Sequence, residues 1–180
     1  LIYFLRIDCP SIILFDGAIQ INLNDKFHEL IAGNDFVEKF EVKNFEFKLN
    51  LLKWYEHDEL TYHRMNLCAN QREVEDFNIN KVFQDLHGKI LDEETGKYYL
   101  IVGYLESDYL DNNVNEERTE IEFSKDGLFD KDLISRQELY SSIEPVFRKH
   151  FEIVLNNFKE KKIETFNNYI DEKAPQYKIL

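Results

Sequence analysis

Apolar residues recur along this chain in two rhythms, and the change between them falls near Ser135. Over the first two-thirds the period is two. Ser11 to Phe15 and Ile19 to Leu23 are short β-branched runs on either side of Asp16-Gly17, which predicts a hairpin. Phe45, Phe47, Leu49 and Leu51 alternate with Glu46, Lys48 and Asn50, the period of a half-buried strand. The cluster His57-Asp58-Glu59 reads as a turn. Tyr62 to Ala69 follows as a strand with His63, Met65, Leu67 and Ala69 on one face, and Asn70-Gln71 closes it as a second turn. Phe77 to Leu86 predicts a short helix, because Ile79, Val82, Phe83 and Leu86 fall at helical spacing before Gly88. Asp92 to Gly96 is a polar loop. Tyr98 to Leu105, aromatic and β-branched along its length, is the strongest strand signal. An acidic loop from Glu106 to Glu117 leads to Thr119–Phe123, where Ile121 and Phe123 alternate with Glu120 and Glu122.

From Ser135 the period lengthens. Ser135 and Glu138 have the spacing of a capping box, in which each side chain satisfies an otherwise free amide. Leu139, Ile143, Val146, Phe147, His150, Val154 and Phe158 then recur at three- and four-residue steps. Ile163, Phe166 and Ile170 continue the stripe until Pro175 stops it. Pro145 lies inside the pattern, so a kink or a restart is expected near it. A helix from Ser135 to about Lys173 is roughly 55–60 Å long at 1.5 Å per residue. That is longer than a domain of this size is wide, so part of it should project or pack on something outside this chain. The expected organisation is an α+β domain over 1–130 and a long helical arm over 131–180.

Composition narrows the function. The chain has 180 residues, 43% of them hydrophobic, with 15 Phe and 10 Tyr, enough for a real core. Against 35 acidic residues stand 22 basic ones, a net charge of -13, which argues against a duplex-DNA reader. Cys9 and Cys68 make neither a disulfide framework nor a metal-ligand spacing, which suits a reducing, cytoplasmic setting. The apolar run from Leu1 to Phe15 is broken by Arg6, Asp8 and Pro10, so no membrane segment is expected. A start at Leu rather than Met reads as a piece of a longer protein.

The candidate chemistry is sparse. Glu106, Asp108 and Asp111 could ligate a hard cation, although a solvated acidic loop anchored by Tyr109 and Leu110 accounts for them better. His63, His87 and His150 lie in three different elements, and His28 and His57 sit in polar surroundings. No zinc-helix spacing occurs, and His150 reads as a core residue rather than a base. Lys159 to Lys162, with Arg148 and Lys149, could touch a phosphate backbone. Glu152, Glu160 and Glu164 interleave with them, which favours a salt-bridged solvent face. No Gly-rich turn precedes a helix, and Asp126-Gly127 is a simple turn. On these residues alone no complete active site is expected, and no metal site.

Two segments together resemble a family. Met65-Asn66-Leu67-Cys68-Ala69-Asn70-Gln71-Arg72-Glu73-Val74 is an apolar strand followed by an Asn-x-Arg turn. The strand Tyr98 to Leu105 runs on to Val114-Asn115-Glu116-Glu117-Arg118-Thr119-Glu120-Ile121-Glu122-Phe123. In order and spacing these resemble the second domain of MutL-type ATPases of the GHKL superfamily, which includes gyrase B and the heat shock protein 90 chaperones. The ending Ala174-Pro175-Gln176-Tyr177 after a charged helix is similar to a set of large bacterial GHKL ATP-binding proteins. The resemblance covers roughly Ser11 to Phe123, with the helix as an extension.

It implies a transducer domain: an α+β fold with a mixed sheet and a crossover helix, ribosomal-protein-S-five-like, followed by a long C-terminal helix. Such a domain packs on an N-terminal ATPase domain of the same chain, which binds ATP and Mg²⁺, and Leu1 to Ile7 would be that domain's last element or the linker. Arg118 stands where the family extends a basic side chain to the γ-phosphate, so it is the candidate catalytic and cofactor-binding residue. MutL proteins carry Lys there, and Gly where Gln71 stands. Arg118 could instead pair with Glu116, Glu117 and Glu120. The resemblance further implies an inactive fragment of an ATPase and a homodimer formed through the ATPase domain. The competing readings are a non-enzymatic protein-interaction module with a projecting helix and, third, a carboxylate-metal nuclease.

Overall fold

The computed structural model describes residues 2–6, 8–31, 35–55, 60–124 and 133–173. The turns expected at His57-Asp58-Glu59 and Asp126-Gly127, the boundary at 130–131, the full linker from Leu1 to Ile7 and the Ala174–Tyr177 ending lie wholly or partly outside them.

A 3-10 helix at Ile2–Leu5 opens the chain. The hairpin expected around Asp16-Gly17 follows as β1 (Ile13–Asp16) and β2 (Ile19–Asn22), with Gly17 at φ 60° in the left-handed region that its missing Cβ permits. Helix α1 (Leu23–Ile31) comes next and buries Phe27 and Ile31. The main sheet is built from β3 (Asp35–Val42), β4 (Phe45–Trp54), β5 (Arg64–Ala69), β6 (Arg72–Asn78), β7 (Ile90–Leu91) and β8 (Tyr98–Glu106). Its strand order is β3-β4-β8-β5-β6, with β7 pairing β8. β5 runs parallel to β8 and the other pairs are antiparallel, so the sheet is mixed. After it come the short α2 (Asp108–Asn112) and the long α3 (Arg136–Lys173). The fold is therefore α+β, a mixed sheet with a long C-terminal helix.

β8 is central, with β4 and β5 as neighbours, and is buried from Tyr99 to Leu105. The central position also explains why β4 is buried on both faces: Phe47, Leu49 and Leu51 point one way, Asn50 and Leu52 the other. Onto the first face packs the proximal half of α3, through Leu139, Ile143, Phe147, Phe151 and Leu155. The 3-10 helix and α1 cover the second face, where Ile2, Phe27 and Ile31 meet Leu52, Val102 and Tyr104.

Several expectations need correction. The helix expected over Phe77 to Leu86 is the end of β6, a 3-10 turn at Ile79–Lys81, and further single turns closed by Phe83 N–H to Ile79 O and Leu86 N–H to Phe83 O. Successive turns repeat at three to four residues, so they mimic helical spacing while burying Ile79, Phe83 and Leu86. No α-helix lies between β6 and β8, so a crossover helix is not seen there. Thr119–Phe123 is not a strand but contributes one bridge, Val114 to Ile121. Within the acidic loop, Ser107 caps α2 by accepting the Leu110 amide. In α3 the departure from helical geometry falls at Phe151 (φ −122°, ψ 18°), while Pro145 stays inside the helix.

Candidate functional site

Arg118 sits at the tip of a tight loop between Val114 and Ile121 that one side chain organises. The Asn115 carboxamide oxygen accepts the amides of Thr119 (2.8 Å) and Glu120 (3.3 Å), and its Nδ2 donates to Thr119 Oγ1 (3.1 Å). The Asn115 amide donates to Glu120 O (3.0 Å), and the Arg118 amide donates to Asn115 O (2.9 Å). These bonds hold Arg118 at φ 55°, a conformation costly for a residue with a Cβ. The side chain is exposed. Among the described residues its guanidinium forms no ion pair, so Glu116, Glu117 and Glu120 leave it free. The loop thus presents, on an ordered backbone, a guanidinium with no ion-pair partner among the described residues.

The two segments that carry the resemblance meet in space. Asn70 and Gln71 make their turn with φ 49° and 65°, both left-handed, as a two-residue hairpin loop of the I′ type requires. The Asn70 amide donates to Asp111 Oδ1 (2.7 Å), which ties the turn to α2. Glu75 on β6 then joins the Arg118 loop to the long helix. Its Oε1 accepts the Ile121 amide (2.9 Å), and its Oε2 accepts from Arg136 Nη2 (2.7 Å) in the first turn of α3. The Arg136 guanidinium also stacks on Phe123, 4.5 Å from the ring centroid. Tyr109 adds a second tie, its hydroxyl accepting the Ile134 amide (3.1 Å) and donating to Glu122 O (3.0 Å). Glu138 and Ser135 form the expected capping box, at 2.8 and 3.1 Å. No sequence signal marked Glu75 or Arg136, because their pairing spans 61 positions. Asn115 was legible only as part of the Val-Asn-x-x-(basic)-Thr pattern.

The other candidates are dispersed. Glu106 pairs with Lys48 (3.7 Å), Asp111 is taken by Asn70, and Asp108 lies in the first turn of α2. Among the described residues no group of three or more His, Cys, Asp or Glu could hold a metal ion. His63 is buried: its Nδ1 accepts the Ile101 amide (2.9 Å), so Nε2 is the donor to Gly88 O (2.7 Å). Burial pushes it down to about 4, so the ring is neutral. His150 packs on Phe36, with ring centroids 4.5 Å apart, and donates Nε2–H to Glu38 (2.9 Å). Lys149, and then His150, hold the Glu38 carboxyl below its ordinary range. Burial pushes the Cys68 thiol up to about 12, which leaves it unreactive. In the basic stretch, Arg148 pairs with Glu144 and Lys162 with Asp85.

A cleft of about 540 Å³ lies between α3 and the β7–β8 hairpin, with Lys53, Asp92, Tyr99 and Phe151 among its walls. Its buried carboxylate is already used. Asp92 accepts from the Tyr55 hydroxyl, from Lys53 Nζ (3.2 Å) and from the Glu94 amide (3.0 Å), and Tyr55 foremost keeps it below the usual carboxylate range. Lys53 also lies over the Tyr99 ring, 5.1 Å from its centroid. The cluster clamps a hairpin, and the Asp92 carboxylate is fully engaged in it. No described helix is long and apolar enough to cross a membrane. No protein-family model matches this chain, and neither does any curated protein or solved structure.

Proposed function

We propose that this chain is the transducer domain of a GHKL-type ATPase, with the ribosomal-protein-S-five-like fold of that family. In this reading it packs on an N-terminal ATPase domain and completes that domain's ATP site with Arg118. One observation carries the reading: an exposed guanidinium free of carboxylate partners stands on an ordered loop, at the position the resemblance assigns to a phosphate contact. A guanidinium stays charged at any working pH and can fork onto phosphate oxygens. The described residues of this chain fit one such contact; the nucleoside pocket and the Mg²⁺ ligand fall to the other domain.

The loop's wiring gives Arg118 a route to the helix. A pull on Arg118 acts on Ile121, whose amide is held by Glu75, and Glu75 holds Arg136 at the start of α3. Differential contact in the two nucleotide states would bias this arrangement, since a ligand shifts an equilibrium only by its unequal affinity for the two states. The test is ATP turnover by the longer protein. Arg118→Ala should lower kcat, on the order of 10³-fold if the arginine meets transition-state charge, with nucleotide binding kept. Unchanged turnover would remove Arg118 from the mechanism.

A second reading, a protein-interaction module with a projecting helix, is favoured by the apolar residues of α3 that stand in solvent beyond His150: Ile153, Ile163, Phe166 and Tyr169. It leaves the free Arg118 without a role.

A further inference from the structure

Helix α3 is interrupted, and the interruption has a local cause. Phe151 leaves the helical region at φ −122°, ψ 18°, whereas Pro145 stays inside the helix, so proline does not make the break. The Phe36 ring on β3 contacts both His150 and Phe151, with centroids 4.5 and 5.8 Å away. Successive residues of a regular helix point about 100° apart. Holding both against one ring pulls the backbone out of helical geometry.

The two sides of the break are held very differently. On the near side Glu38 of β3 accepts from Lys149 Nζ (2.6 Å) and His150 Nε2 (2.9 Å). Leu139, Ile143 and Phe147 are buried there, and Phe151 packs on Phe147. On the far side burial stops at Leu155 and the half-buried Phe158, and residues 159–169 are all exposed. Lys162 reaches across to Asp85 in the turns after β6, with the two side chains 69% and 39% exposed. An ion pair so open to solvent holds weakly and is screened by salt.

The far half of α3 is also one bank of the 540 Å³ cleft. Ile153, Asn157 and Lys161 line it from the helix, and Leu91, Asp92 and Tyr98 from the β7–β8 hairpin. A pivot at Phe151 breaks no further turn, because the helical backbone is already interrupted there. At 1.5 Å per residue Leu155 lies about 6 Å beyond the break and Asn168 about 25 Å. Turning the far half by about 30° therefore moves Leu155 by only ~3 Å but Asn168 by ~13 Å.

We propose that the far half of α3 is a lid on this cleft, hinged at Phe151 and latched by Lys162 on Asp85. The inference is independent of Arg118. Double electron–electron resonance tests it in a Cys9→Ser chain, whose remaining native thiol, Cys68, is buried. One spin label goes on Lys97→Cys in the hairpin. The second goes on Asn168→Cys in the lid or, as a reference, on Ser141→Cys in the near half; all three positions are exposed. Circular dichroism confirms folding. Asp85→Asn, or about 1 M NaCl, should spread the Lys97–Asn168 distances by ~10 Å toward longer values and leave Lys97–Ser141 as it was. A Lys97–Asn168 distribution indifferent to both changes would overturn the proposal. So would equal spreading of the two pairs, because the whole helix would then loosen instead of turning at Phe151.

Discussion

The two faces of the sheet solve the same burial problem differently. The face under α3 is apolar: Phe47, Leu49, Leu51, Met65, Leu67, Ile101 and Leu105 meet Leu139, Ile143 and Phe147, all of them buried. Packing there is so close that a Cβ on Gly103 would stand 2.4 Å from Met65 Sδ and 3.3 Å from Leu51 Cδ2. The face under α1 mixes Leu52 and Val102 with a polar row, Asn50 on β4, Tyr104 on β8 and Asn66 on β5, which oppose one another in register. Asn66 donates to Gly103 O (3.0 Å), but Asn50 Nδ2, Tyr104 OH and Arg64 Nε are buried without a hydrogen-bond partner among the described residues. A buried donor left unmade costs about 1–3 kcal/mol. The α3 face therefore supplies the stability and the α1 face gives some of it back, so equal truncations on the two faces should have unequal effects.

The largest effect is expected on the α3 face. Phe147 is fully buried and its ring lies 4.6 Å from Phe83 and 4.8 Å from Phe151, centroid to centroid. Phe147→Ala should cost about 3–5 kcal/mol in a denaturant titration. A loss below about 1 kcal/mol would mean that α3 does not hold the sheet.

Acid should produce the next effect. His63 titrates at about 4 in the fold and at 6.5 when free, so the unfolded chain binds more protons between these values. Its contribution is complete above pH 6.5 and is lost as pH falls, by up to about 3 kcal/mol, levelling off below pH 4. A pH series of midpoints checks this. The same slope in a His63→Asn chain would assign it to other groups.

Gly103→Ala should cost less, about 1–3 kcal/mol, because the flexible Met65 side chain gives way only by displacing buried neighbours. Its melting temperature relative to the parent chain reads this directly.

Tyr104→Phe should have the smallest effect, between neutral and a gain of about 1 kcal/mol, since it removes a hydroxyl that has no partner among the described residues and is buried at the cost of its hydration. A clear loss would show that this hydroxyl is hydrogen-bonded in solution, and the contrast between the faces would shrink.

What the sequence by itself determined was whatever a segment's own pattern can force. The hairpin at Asp16-Gly17, the alternation of β4, the aromatic run of β8, the Asn70-Gln71 turn and the Ser135–Glu138 cap all formed at or near their expected positions. Each depends on neighbours within a few residues. Arg118 could be named from the sequence only through the resemblance. Tertiary structure decided the rest. β6, Arg-Glu-Val-Glu-Asp-Phe-Asn, has little strand propensity of its own and is extended because β5 offers it a ladder. α2 spans five residues, too short to show a period, whereas α1 carries Leu23, Phe27, Leu30 and Ile31 at helical spacing, a signal that was legible and went unread. Ile79, Phe83 and Leu86 are spaced like a helix, yet they reach the core from consecutive turns. The left-handed backbone of Arg118 rests on Asn115, three residues away, but the Glu75 link from that loop to α3 follows from bonds that close only when distant segments are brought together. A resemblance can name such a residue, but only the folded chain determines what remains unpaired around it.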